Sequence, residues 1–286
     1  MSFSETALLG ALAGFTIFIG LPVGRLDRLS TRVRVGLAMF SVGVLVFLLV
    51  DVLSHGFAIS EEAVTAFKDG DGSFGRAAGL SVLLVGGFTL GCAGLGIIER
   101  RLRSGTSKPP PLAGGATDVV SLEDELLVLD HVDRARAHAL RSGLIIAGAI
   151  GLHNFAEGLA IGVSAQAGEI GLATVLIVGF ALHNATEGFG IVGPLGDVKP
   201  SWRWLALAGL IGGGPTFIGS MVGYNVTSQP LELLFYAVAG GAILYVIGEI
   251  WHGMRRYGHR ELGLVLLSAG FAAGVLTDLV VAYGGG

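Results

Sequence analysis

The sequence predicts an all-α, polytopic membrane protein with eight transmembrane helices in a 3+2+3 arrangement, on three observations. Of its 286 residues 52% are hydrophobic and only 14% charged, and the mean hydropathy is +0.73, too apolar for a soluble domain with a charged surface. Eight apolar stretches each approach or exceed the roughly 20 residues a helix needs to cross the hydrocarbon. Many of the 48 glycines lie inside those stretches, where small residues let helix backbones come close.

The first stretch, 5–24, has Glu5 but no basic residue before it and no small-residue cleavage site after it, and is expected as a permanent span rather than a removable signal. The second, 33–57, carries Asp51 and His55, and the third, 76–98, holds the single Cys92, so no disulfide framework is expected. Residues 99–141 are the one long polar stretch. Its first half, "SGTSKPPPLAGG", reads as a flexible linker. In its second half Ser121, followed by the acids Glu123, Asp124 and Glu125, opens an apolar period of Leu122, Leu126, Leu129 and Val132, which predicts an amphipathic helix leading into the fourth span. His131 and His138, seven apart on it, read as solvated.

The fourth and fifth spans, 142–165 and 170–193, are joined by the very short "AQAGEIG". Spans at 203–226, 231–251 and 262–283 complete the set. The chain thus divides into spans 1–3 (1–98), a cytosolic loop (99–141), spans 4–5 (142–193) and spans 6–8 (194–286).

Basic residues set the orientation, because cytoplasmic loops retain Lys and Arg. Of the 18 basic residues, 16 fall in the loops after spans 1, 3, 5 and 7, and only Lys68 and Arg76 fall on the other side, in a loop that also carries Glu61, Glu62, Asp69 and Asp71. The expectation is a multi-pass protein of the cell membrane with both termini outside.

Spans 4 and 5 contain "GLHNFAEGLA" (151–160) and "ALHNATEGFG" (181–190). At 100° per residue His153, Asn154 and Glu157 stand at relative angles of about 0°, 100° and 40°, one side of a helix, and His183, Asn184 and Glu187 do the same. A charge at the bilayer centre costs about 2.5–3.5 kcal/mol even on lenient scales, so two such helices need a partner. A divalent cation supplies one: neutral imidazole, carboxylate and amide oxygen suit zinc, iron, manganese and related ions, and two bridging glutamates would allow two of them. A lone intramembrane His or Asn is usually interhelical glue; the repetition of HNxxEG argues against that reading here, while Gly158 and Gly188 read as packing contacts. Asp51 toward the outside and Glu249, with His252, toward the inside extend the metal-capable groups across the membrane.

With these residues in view the chain resembles the ZIP (Zrt-, Irt-like protein) family of divalent metal transporters, through the eight-span plan, the loop after span 3, the paired "HNFAEG" and "HNATEG", and "AGGAILYVIGEI" at 239–250. The resemblance implies metal uptake toward the cytosol through a binuclear centre, with His153, Asn154, Glu157, His183, Asn184 and Glu187 as ligands, Asp51 as an added ligand or residue of approach, and Glu249 as an exit group. Many members carry lysine where this chain has Asn184, so both metal positions should be fillable. Where members often carry proline within the motif, this chain has Ala156 and Ala185 or Thr186, and where many carry an acid before a proline in span 6 it has Gly214 before Pro215, leaving Asp51 or water to complete the centre.

Zn2+ or another divalent transition metal is therefore expected as transported substrate, with no organic cofactor and no nucleic-acid partner; lipid is the surrounding partner, and glycine-rich faces permit a homodimer. Binding needs deprotonated ligands, so uptake should weaken at acid pH. The rival reading, a membrane-embedded di-metal enzyme, lacks an HExxH, and di-iron bundles use Glu-x-x-His rather than His-x-x-x-Glu; a metal sensor would want a signalling domain. No enzymatic activity is expected.

Overall fold

The computed structural model describes all residues except 27–29, 104–121, 167–180, 182–183, 226–227, 256 and 284–286, together with the backbone but not the side chains of 102–103, 122–132 and 281–282. The protein is helical throughout its described residues, and seven of the described helices are long and apolar enough to cross a membrane. The expected fifth span, 170–193, lies mostly outside the described residues.

The first span is broken rather than continuous. Helix α1 (Phe3–Phe15) starts on a capping box, in which Ser2 and Glu5 satisfy each other's backbone N–H groups. It stops at Thr16, whose hydroxyl donates to the Ala13 carbonyl at 2.6 Å; the chain continues through α2 (Ile17–Gly20) and a 3-10 turn, Leu21–Arg25, that contains Pro22.

Helix α3 runs from Thr31 to Asp69, 39 residues, about 58 Å at 1.5 Å per residue and nearly twice the hydrocarbon thickness of about 30 Å. The sequence reading ends this span at 57 and places Glu61 to Asp69 in a loop; the helix instead continues, because Ile59 and Ala63 pack on Leu80, Leu84, Leu233 and Ala237, beyond the reach of a hydropathy window. It ends where Gly70 takes φ +87°, a left-handed cap. Helix α4 (Phe74–Arg103) returns. Helix α5 (Leu122–Gln166) is 45 residues long, so the expected amphipathic segment and the fourth span form one rod. The described part of helix α6 covers residues 184–192, followed by α7 (Trp202–Asn225), α8 (Gln229–Arg255) and α9 (Arg260–Tyr283).

The helices pack as two bundles. One joins α1, α2, α5, α6 and α7; the other joins α3, α4, α8 and α9. Within each, glycines bring backbones together: an added Cβ at Gly151, Gly158 or Gly162 of α5 would collide with carbonyl oxygens of α7, one at Gly43 with the Leu267 carbonyl of α9, and one at Gly91 with the Val238 carbonyl of α8. Between the bundles lies the largest apolar core, which includes Val42 and Leu45 of α3, Ile146 and Ile150 of α5, and Ile243 and Val246 of α8.

Contacts fix two ends. At one, Arg34 Nη1 pairs with Asp197 Oδ1 at 2.7 Å, Arg25 donates to the Pro200 carbonyl and stacks on Trp202. At the other, Tyr224 donates to the Met1 carbonyl at 3.0 Å, and Arg76 donates to Gln229 at 2.6 Å. The first is the basic end.

Candidate metal centre

The first motif lies within one continuous helix, α5 (Leu122–Gln166). His153, Asn154 and Glu157 are 1%, 0% and 5% exposed, and on α6 Asn184 and Glu187 are fully buried. The glycine seam between α5 and α7 is what admits them: Gly151 and Gly158 bracket the motif and press α5 against Ile211 and Thr216 of α7. Gly158 and Gly188 are packing residues as expected, the latter closing α6 onto Ile17 and Gly20.

The polar groups converge. His153 Nε2 lies 2.8 Å from Glu157 Oε1 and 3.9 Å from Glu187 Oε1, a contact between α5 and α6. Asn154 Nδ2 donates to Glu187 Oε2 at 3.1 Å and to the Gly212 carbonyl at 2.9 Å. Asn184 Nδ2 donates to the Ala13 carbonyl at 3.2 Å, at the very place where α1 breaks. Asn154 therefore spends its amide protons on the Gly212 carbonyl and the Glu187 carboxylate, Asn184 donates to the Ala13 carbonyl, and Asn154 Oδ1 and Asn184 Oδ1 have no hydrogen-bond partner among the described residues. A buried carbonyl-type oxygen in that condition is costly in apolar surroundings, and a cation is the partner it suits.

His183, the remaining member of the second motif, lies outside the described residues. Among the described residues no three His, Cys, Asp or Glu side chains stand ready-set for an ion, since the carboxylates rest against imidazole and amide protons instead. His153, Glu157, Glu187 and Asn154 are nevertheless brought together, and imidazole, carboxylate and amide oxygen are donor types that suit zinc, iron or manganese.

The outlying residues are placed less closely. Asp51 on α3 is half-buried; it sits 3.9 Å from His55 Nδ1 and feels the charges of Asp278, His153 and Glu157. His55 in turn lies against Tyr236, ring centroids 5.5 Å apart. Glu249 on α8 is half-buried; its neighbour Ile250 packs toward Gly190 of α6. His252 is exposed.

Among the described residues an added Cβ at Gly214 would meet no atom within 4 Å, whereas its neighbours Gly213 and Thr216 pack on Gly14 and Gly158. An acid at 214 would thus leave from a different side of α7 than the one that faces α1 and α5. A polar residue that α7 does bring toward α1 and α5 is Thr216, fully buried with no hydroxyl partner among the described residues; the sequence reading missed it, because a threonine in an apolar helix carries no signal. It also missed Glu99, which it counted among the loops: the carboxylate is 7% exposed and accepts from Tyr245 at 2.6 Å.

Comparison with known proteins reaches the same segment. Residues 115–248 match the family model described as ZIP Zinc transporter. The protein named Zinc transporter ZupT from Clostridium perfringens (strain 13 / Type A) is 30% identical over 140 residues, 46% of this chain and 47% of that protein, so the chain matches about half the length of that curated relative. Both HNxxEG motifs fall inside the family match, which ends at Gly248, just before Glu249 of the α8 segment. With HNxxEG repeated on two helices and His153 and Asn154 meeting Glu187, the segment 115–248 of this chain is similar to the ZIP zinc transporter family.

Proposed function

We propose that the protein moves a divalent metal cation across the membrane into the cytosol, zinc first, with iron, manganese, cobalt and cadmium as competitors. The metal is substrate. It approaches past Asp51, is partly dehydrated among His153, Asn154, Glu157, His183, Asn184 and Glu187, and leaves past Glu249. The observation that carries this reading is the orientation of the two asparagines, whose protons are tied to Gly212 and Ala13 while their oxygens remain for a ligand. Two glutamates close to one imidazole give the set enough negative charge to take one ion and, by bridging, a second. The similarity to a protein named as a zinc transporter supports zinc as the leading substrate.

The two bundles supply the means of movement. Backbone-to-backbone closures join helices within a bundle, but the glycines that face the other bundle meet side chains: Gly190 meets Ser41 and Ile250, and Gly193 meets Ala38. Such a seam can slide without breaking a backbone contact, so α1, α2, α5, α6 and α7 would carry the centre past α3, α4, α8 and α9, exposing it to each side in turn.

The test is zinc uptake into proteoliposomes containing a fluorescent indicator. Wild type should accumulate zinc, Glu157→Ala should lose more than about tenfold of the rate, as loss of a metal-site residue typically costs, and Glu157→Ala/Glu187→Ala should be inactive while inserting normally. A wild type that binds zinc yet moves no divalent metal under any gradient would sink the proposal.

A further inference from the structure

At the basic end, away from the metal centre, α3, α8 and α9 surround a cavity of about 500 Å³ lined by Val35, Met39, Trp251, Met254, Arg255 and Arg260, among others. It shares His259, Arg260 and Leu264 with an adjoining groove that reaches Arg32. The lining has two characters. Val35, Met39, Met254 and Leu264 make an apolar wall, while three guanidinium groups, Arg32, Arg255 and Arg260, stand at the rim against the single carboxylate of Glu261.

These arginines differ from others at the same end. Arg34 is held by Asp197 and Arg25 by Pro200 and Trp202, but Arg32, Arg255 and Arg260 make no side-chain hydrogen bond or ion pair with a described residue. The backbone that presents them is set by two successive left-handed residues, Gly258 at φ +73° and His259 at φ +56°. That conformation is uncommon for a residue with a side chain, and it turns the chain directly into the first turn of α9, where Gly263 N–H donates to the His259 carbonyl at 2.9 Å. The helix N-terminus thereby adds its own partial positive charge at Arg260.

We propose that this cavity binds an anionic phospholipid from the leaflet at the basic end. Arg255 and Arg260 take the phosphate, for which a guanidinium offers paired N–H donors, and Arg32 neutralises further headgroup charge. An acyl chain lies along Met39 and Leu264, and Trp251, 37% exposed, stands beside it as an interfacial aromatic. Charge complementarity and the apolar wall select this occupant together: a soluble phosphate would use the rim alone, and a zwitterionic lipid would leave the arginines in excess. Basic pockets between transmembrane helices are established headgroup sites.

Native mass spectrometry of the purified protein, equilibrated with equal phosphatidylglycerol and phosphatidylcholine, should show phosphatidylglycerol retained by about tenfold over phosphatidylcholine, in keeping with two arginines at a headgroup. Arg255→Gln/Arg260→Gln should abolish the preference, and Arg100→Gln/Arg203→Gln, which removes the same charge elsewhere at that end, should keep it. A phosphatidylglycerol analogue bearing a diazirine on its acyl chain should label wild type within 251–264, a measurement that needs no variant. Equal retention of the two lipids, labelling confined to other helices, or displacement of the lipid by millimolar inorganic phosphate or glycerol phosphate would each overturn the proposal, the last by assigning the rim to a soluble anion.

Discussion

Asn154 shows how a membrane protein handles an amide it cannot hydrate. Two acceptors, the Gly212 carbonyl and Glu187 Oε2, surround its Nδ2, so the group is defined by what it donates. Asn154→Asp should therefore be worse than Asn154→Ala. The aspartate would set a third carboxylate against Glu187 and leave Gly212 without its donor, whereas alanine only removes the donor, at about 1–3 kcal/mol. Thermal unfolding in detergent near neutral pH would check this, the aspartate variant melting lowest; equal melting temperatures would mean that the amide protons are not what holds α5 to α6 and α7. At this scale the sequence was informative wherever chemistry repeated. Two HNxxEG copies on spans of known period were enough to bring Asn154, Glu157 and Glu187 to one place, but nothing local to Thr216 or Glu99 announced their burial, because the Gly14 and Tyr245 that cover them come from distant segments.

Elements were legible to the extent that hydropathy defines them. The spans and the rod that enters α5 follow from apolar length and period, yet the break of α1 at Thr16 and the extension of α3 to Asp69 depend on tertiary partners, Asn184 for one and Leu80, Leu84 and Leu233 for the other. Glycine counts were legible too, but not which glycines close a seam. Gly158→Ala and Gly214→Ala separate the two kinds. The first forces a methyl into the Thr216 carbonyl and should cost about 1–3 kcal/mol; the second meets nothing within 4 Å among the described residues and should be neutral or gain up to about 1 kcal/mol of helix propensity. Matched melting curves decide it, and identical losses in both would show that backbone flexibility rather than the seam is what these glycines supply.

For the whole molecule the division into two bundles predicts what a covalent tie would do. A Cβ at Gly190 of α6 would stand 3.6 Å from the Ser41 Cβ of α3, within the range of a disulfide, across the boundary between bundles. In a Cys92→Ser background, Gly190→Cys/Ser41→Cys should stop zinc uptake when oxidised and recover it under dithiothreitol. Unchanged uptake by fully cross-linked protein would show that transport does not need the bundles to move apart. No sequence pattern pointed to this division; spans 1 to 3 and 6 to 8 share no residue-level match, and only packing reveals that α1 sides with α7 and α3 with α9.

The 45-residue α5 has one further meaning. About 20 of its residues precede the span that holds His153 and Glu157, a helical stalk of about 30 Å continuous with the turn that bears those groups. It is a lever arm. A tilt of the bundle by about 10° becomes a displacement of about 5 Å at the far tip of a stalk of about 30 Å. There a spin label could report it and a bound antibody fragment could hold it still.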